Sequence, residues 1–190
     1  METEDELDMR LAGLFLVEMN HQLAFARLAA RQINQALTAQ PFDSDSFWYH
    51  VEAHIKSLVA ILNILWTSNK TNPAKRRSRL LRELFELNDT NPPENLRATR
   101  NSFEHYDERI DSAWAQPGDY AFVDRNVMPL SMLTLEGQTL YARNYDPQNG
   151  ELVAFDTTFN LVGAFSEMDA IMNTVNSIAR SDSRLAPFIR

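Results

Sequence analysis

Apolar residues recur between positions 5 and 38 at alternating steps of three and four. Met9, Ala12, Leu16, Met19, Leu23, Ala26, Ala30, Ile33 and Leu37 form an unbroken stripe with the period of an amphipathic helix. Leu11, Leu14, Phe25 and Leu28 widen that stripe, so this helix is expected to pack against more than one neighbour. Pro41 ends it, and "PFDSDS" supplies side-chain caps for the next. A second stripe, Trp48, Val51, Ile55, Leu58, Leu62 and Leu65 flanked by Val59 and Ile64, predicts a helix over 46–67. "TSNKTNP" reads as a loop. A third, shorter helix over 73–87 carries Leu80, Leu81, Leu84, Phe85 and Leu87 on its buried side. "NDTNPP" breaks the chain again, and Pro93 suits the first turn of a fourth helix that reaches Ala115 and stops at "QPGD".

After Gly118 the pattern changes to short runs rich in aromatic and β-branched residues, with turn chemistry at "EG" and "DPQNG". Tyr141 to Tyr145 and Leu152 to Phe155 predict a hairpin, with one or two strands before it. Leu161, Ala164, Phe165, Met168, Ile171, Met172, Val175 and Ile178 then predict a last helix over 161–179. The fold class is mainly α: an antiparallel bundle of four or five helices with a small β-hairpin or meander inserted before the final helix. The helical core is placed at 5–117 and 160–181 and the β-rich insertion at 118–157. The hairpin is too small to stand alone, so one domain is preferred over a separate α+β unit from 118 onward.

Composition narrows the function. The 190 residues are 44% hydrophobic and 23% charged, enough to bury a core and stay in solution. With no cysteine, disulfides and thiolate metal sites are excluded. The acidic start "METEDELDMR" does not fit a secretory or transit peptide. The most apolar run, "VEAHIKSLVAILNILW", contains Glu52, His54 and Lys56, so no membrane span is expected and the chain reads as cytoplasmic. The net charge of −8 argues against a generic nucleic-acid binder, but its distribution is uneven. Between Lys70 and Arg100 lie eight basic residues and four acidic ones, Glu83, Glu86, Asp89 and Glu94, which makes that window +4 and the remainder −12.

The candidate chemistry sits in "RNSFEH", Arg100 to His105. The fourth helix has an inner face of Leu96, Thr99, Phe103, Tyr106, Ile110 and Ala113, with Trp114 beside it. At about 100° per residue, Arg100 lies roughly 80° from the middle of that stripe, Asn101 about 180° and His105 about 140° on the other side. His105 therefore points away from its own core. One reading is solvated surface laced by pairs such as Arg100–Glu104. The other is that a second copy of the helix covers this face and makes an enclosed polar cleft. A histidine can move a proton to or from a ribose hydroxyl near neutrality, and an arginine fork can hold the charge that develops on a phosphate. An asparagine amide can orient either group, and neither a metal nor a cofactor is required.

An arginine, a polar residue, three variable positions and a histidine on the fourth helix of a bundle resemble the signature of the HEPN superfamily. "FEHYDERID" and "FWYHVEAHIKSLVAILNILW" resemble the continuation and the second helix of bacterial members, so the resemblance covers roughly residues 8–115. It implies a dimeric four-helix bundle. In active members it implies metal-independent endoribonuclease activity, often as a toxin with an antitoxin partner or as part of antiviral defence. By motif position, Arg100, Asn101 and His105 would be the catalytic set. Glu52, or alternatively Asp45, would be the acidic residue near the start of the second helix, with Glu104 and Tyr106 as supporting groups. Non-catalytic members serve as regulators or scaffolds, which is the alternative function here. One toxin subgroup has a tyrosine two places after the histidine; here Asp107 stands there, so that form of regulation is not expected.

Lys75, Arg76, Arg77, Arg79 and Arg82 crowd the third helix, and Arg97 opens the fourth. Cations at a helix N-terminus oppose its dipole, so they are either a solvated face or contacts for RNA phosphates or an acidic partner. His50 and His54 have metal-ligand spacing but no obvious third ligand, and both are expected on a flank away from the core. "DPQNGE" lacks the spacing of a calcium loop and reads as a turn.

Overall fold

A computed structural model describes residues 8–115, 118, 120–133 and 138–189. The expected helix start at 5–7, the "EG" turn and most of "QPGD" lie outside them. The chain is mainly helical: α1 (Met9–Thr38), α2 (Ser44–Leu65), α3 (Asn72–Leu84), α4 (Leu96–Glu104), α5 (Tyr106–Trp114) and α6 (Leu161–Ser181). Between α5 and α6 lie β1 (Tyr120–Val123), β2 (Asn126–Val127), β3 (Gln138–Tyr141), β4 (Arg143–Asp146), β5 (Glu151–Ala154) and β6 (Thr157–Asn160).

Local signals set the helix starts. Asp8 caps α1 by accepting from the Arg10 N–H at 2.8 Å, Asp43 caps α2 through Ser46 at 3.0 Å, and Asn160 caps α6 through Gly163. Pro73 occupies the first turn of α3, where its missing N–H costs nothing. The α1 and α2 stripes face each other, burying Leu16, Met19 and Leu23 against Ile55, Leu58, Ile61 and Leu62. Full burial of each large aliphatic side chain contributes about 1.5–3 kcal/mol. A reciprocal amide pair, Asn20 and Asn176 at 3.0 and 2.9 Å, fixes α6 against α1.

The hairpin expected around "DPQNG" is present, with Arg143 opposite Ala154 and Asp146 opposite Glu151, and β6 extends it as a third antiparallel strand. The strands before it are not a meander: β1 runs parallel to β3 and β2 parallel to β4. Tyr145 from β4 packs its ring 5.3 Å from Phe47 of α2, and Leu152 is fully buried, so the sheet closes on the helical core.

Four expectations change. Leu11, Leu14, Phe25 and Leu28 stay 41–62% exposed among the described residues, outside the core that α1 forms. His54 is buried, because α2 is enclosed on that side by α1 and α6: the Ala26 backbone carbonyl and the Phe165 ring both reach it. Trp114 is 73% exposed, and α5 buries no residue fully. Finally, the fourth helix is not continuous, since it breaks at His105 into α4 and α5.

Candidate functional site

The break at His105 organises the site. Its φ of −106° and ψ of 40° leave the α-region, although its N–H still bonds to Asn101 O at 2.9 Å and its carbonyl accepts from Arg109 N at 3.1 Å. The next residue explains the turn. Tyr106 swings onto the sheet, with its ring 5.4 Å from that of Phe155 and under the Arg143 guanidinium at 4.8 Å. Arg109 adds a bridge to Asp156 at 3.1 Å, so α5 follows the β5–β6 turn rather than the axis of α4.

Arg100 and Asn101 lie on the preceding turn, both half-buried. Arg100 pairs with Glu104 at 2.6 Å and reaches Asn101 Oδ1 at 3.4 Å. Asn101 is less outward than its position suggested, because the buried face of α4 leans towards Thr99 and Ser102. The His105 side chain is 54% exposed, and Nδ1 lies 3.3 Å from Glu108 Oε1. Arg100 with Glu104 and His105 with Glu108 thus make two acid–base pairs, one guanidinium–carboxylate within the motif and one imidazole–carboxylate that reaches one turn beyond it.

Behind them lies a more enclosed polar cluster. Arg143 makes a two-pronged bond to Asp124, Nε at 2.8 Å and Nη2 at 2.6 Å, and its Nη1 reaches Glu52 Oε1 at 3.4 Å. Both Arg143 and Asp124 are largely buried, with side chains 17% and 18% exposed. Hydrogen bonding to Asp124 raises the Arg143 pKa against the opposing effect of burial. Burial, and then the Asp124 charge, raise that of Tyr106. Glu52 and Tyr106 are therefore joined through Arg143, behind the break rather than on the open face with Arg100 and His105. The alternative acid, Asp45, instead pairs with Arg125.

Arg143 and Asp124 were missed by sequence reading. The available signal was strand alternation: Arg143 is two places before the buried Tyr145 and so shares its inward face. Asp124 stands in a loop and carried no such signal.

The basic residues divide into two sets. Arg82 donates to Leu65 O at 2.6 Å, Arg97 to Trp66 O at 2.6 Å and Arg77 to Asn63 O at 3.2 Å. These are the last carbonyls of α2, so three of the six cations cap its C-terminus. Lys75, Arg76 and Arg79 stay exposed, and Arg79 lies 3.3 Å from Glu83.

His54 donates its Nδ1–H to Ala26 O at 2.8 Å, and burial holds its pKa below the usual histidine range. Its partner in spacing, His50, is half-buried beside Tyr49. Among the described residues no three His, Asp or Glu side chains come together as a metal site, and no helix is long and apolar enough to cross a membrane. A groove of about 470 Å³ between α1 and α6 is lined by Arg27, Arg31, Asn34 and Asp169, with Arg27 bound to Asp169 at 2.6 Å. No protein-family model matches this chain, and no curated protein or solved structure matches it either.

Proposed function

We propose that this chain is a HEPN-like endoribonuclease that cleaves RNA without a metal, at a site completed by the α4–α5 face of a second copy. The observation that carries the reading is the helix break at His105. It turns the imidazole out of the helical ladder and sets it against Glu108, one turn from Arg100 and Asn101. A carboxylate on Nδ1 leaves Nε2 as the ring nitrogen for proton transfer.

In this mechanism Nε2 of one His105 takes the proton from a ribose 2′-hydroxyl. The 2′-oxygen attacks phosphorus, the bond to the 5′-oxygen breaks, and the imidazolium of the second copy protonates that leaving oxygen. The products are a 2′,3′-cyclic phosphate and a 5′-hydroxyl. Arg100 neutralises the charge that builds on the phosphorus oxygens. Its pair with Glu104 is half-exposed and four residues apart, worth about 0.3–0.5 kcal/mol, so a phosphate dianion-like transition state displaces it readily. Lys75, Arg76 and Arg79 supply further phosphate contacts. The cellular setting that fits is a cytoplasmic toxin or defence component held by an antitoxin protein.

The test is cleavage of a mixed RNA in the presence of a chelator. Arg100→Ala and His105→Ala should each lower the rate about 100-fold or more with helical content unchanged. Cleavage that survives in both variants, or that stops on chelation, overturns the mechanism. The Arg100–Glu104 contact itself favours one other reading, a non-catalytic regulatory or scaffold dimer. That reading expects no turnover, and loss of partner binding when the same face is altered.

A further inference from the structure

Four large apolar side chains on α1 stay exposed among the described residues. Leu11, Leu14, Phe25 and Leu28 are exposed by 41%, 62%, 55% and 47%. Together with the exposed Glu18 and His21 they fall on one line of the helix, at steps of three and four. The line is distinct from the buried stripe of Ala12, Leu16, Met19, Leu23 and Ala26. Its flanks are already occupied: Phe15 lies beneath Arg77 of α3, and Arg27 is bound to Asp169 of α6. What remains is a narrow seam about 26 Å long.

The order of residues along that seam is palindromic in character. Reading from either end gives two apolar positions, a polar pair at the centre, then two apolar positions. We propose that α1 is a homodimer contact, in which two copies pack antiparallel about a two-fold axis between Glu18 and His21. Leu11 then meets Leu28 of the second copy, Leu14 meets Phe25, and Glu18 meets His21, each pair occurring twice. The carboxylate accepts from an imidazole N–H, so the one polar layer is satisfied by its own symmetry mate. A parallel pairing would instead set Glu18 against Glu18, and like charges in a seam are destabilising. A seam built for an unrelated partner has no reason to be complementary to itself in reverse. Arg10 and Arg31 fall at the ends, where long side chains splay into water.

This contact is separate from the α4–α5 face. α2 packs against both α1 and α4, which make no substantial contact with each other. The two surfaces can therefore be disabled one at a time.

Light scattering on the full chain, purified at micromolar concentration, should show a dimer or a higher even multiple. Leu14→Glu combined with Phe25→Glu places charges at two seam layers. It should halve the assembled mass, weaken association about 100-fold or more and leave the helical circular dichroism intact, while Arg100→Ala leaves the mass unchanged. Because the chain has no cysteine, register can be read directly. Leu14→Cys protein mixed with Phe25→Cys protein should give mainly the mixed disulfide, and each variant alone should cross-link poorly. A monomeric wild type overturns the proposal, as does a mass unaffected by the double substitution or a Leu14→Cys variant that links chiefly to itself.

Discussion

His54 is a titratable side chain placed where water does not reach. Burial disfavours the imidazolium, and the hydrogen bond to Ala26 O opposes that only in part, so its pKa in the folded chain lies below 6.5. The consequence for stability has a definite sign. Above pH 6.5 both folded and unfolded chains hold a neutral imidazole, and the full stability is present. As the pH falls below 6.5 the unfolded chain takes up its proton first, so stability declines down to the folded pKa and then levels off. Urea denaturation between pH 7.5 and pH 5 (about two and a half units that bracket the unfolded pKa) should show this fall. His54→Phe should lose its share of the slope, and an unchanged pH profile in that variant would place the titration elsewhere. Helical geometry alone puts His54 on a flank of α2 away from the core. Ala26 O and Phe165 bury it from two other elements, a fact that no single-helix calculation contains.

At the scale of elements, the crowded cations of α3 look different once α2 ends beside them. Their position against the α3 dipole is unusual, and from sequence alone it reads as either a solvated face or contacts for phosphates or an acidic partner. The ligand that Arg77 and Arg82 hold, together with Arg97 of α4, is internal: the carbonyls of Asn63, Leu65 and Trp66. A helix C-terminus carries partial negative charge and orphan acceptors, so it recruits guanidinium groups as a phosphate does. Arg97→Met should destabilise the fold by about 1–3 kcal/mol, since it strands the Trp66 carbonyl, and Arg82→Met by about 1 kcal/mol, since Leu65 O keeps its bond from Ser78 Oγ. Lys75→Ala and Arg76→Ala should stay within about 0.5 kcal/mol. Thermal melts of the four variants check the division, and equal effects in both sets would dissolve it. The helix stripes themselves were legible, because α1, α2 and α6 bury one face by the 3.6-residue period. The break in the fourth helix was not. Its inner-face pattern continues through Tyr106 and Ile110, and it is the contacts of Tyr106 with Phe155 and Arg143, and of Arg109 with Asp156, on the distant hairpin that bend it.

For the molecule as a whole, that bend gives the β-rich segment a role. Arg143 on β4 joins Glu52 of α2, Asp124 of the β1–β2 loop and the Tyr106 ring at the start of α5, so one side chain ties three regions of the chain together. It thereby sets the direction in which the chain leaves His105. Arg143→Met keeps much of the side-chain volume but leaves the largely buried Asp124 carboxylate without its counter-charge, which should cost about 2–3 kcal/mol. Asp124→Asn removes that stranded charge, so the double variant should be more stable than Arg143→Met alone, and the departure from additivity measures the bridge. Two independent, additive losses would show that Arg143 packs without coupling. Under the ribonuclease reading there is a second consequence. With α5 released from the sheet, the His105 backbone can return to the helical ladder and carry its imidazole away from Arg100. RNA cleavage by Arg143→Met should then fall further than its folded fraction does. A rate that merely tracks the folded fraction would confine Arg143 to stability and leave the placement of His105 to α4 alone.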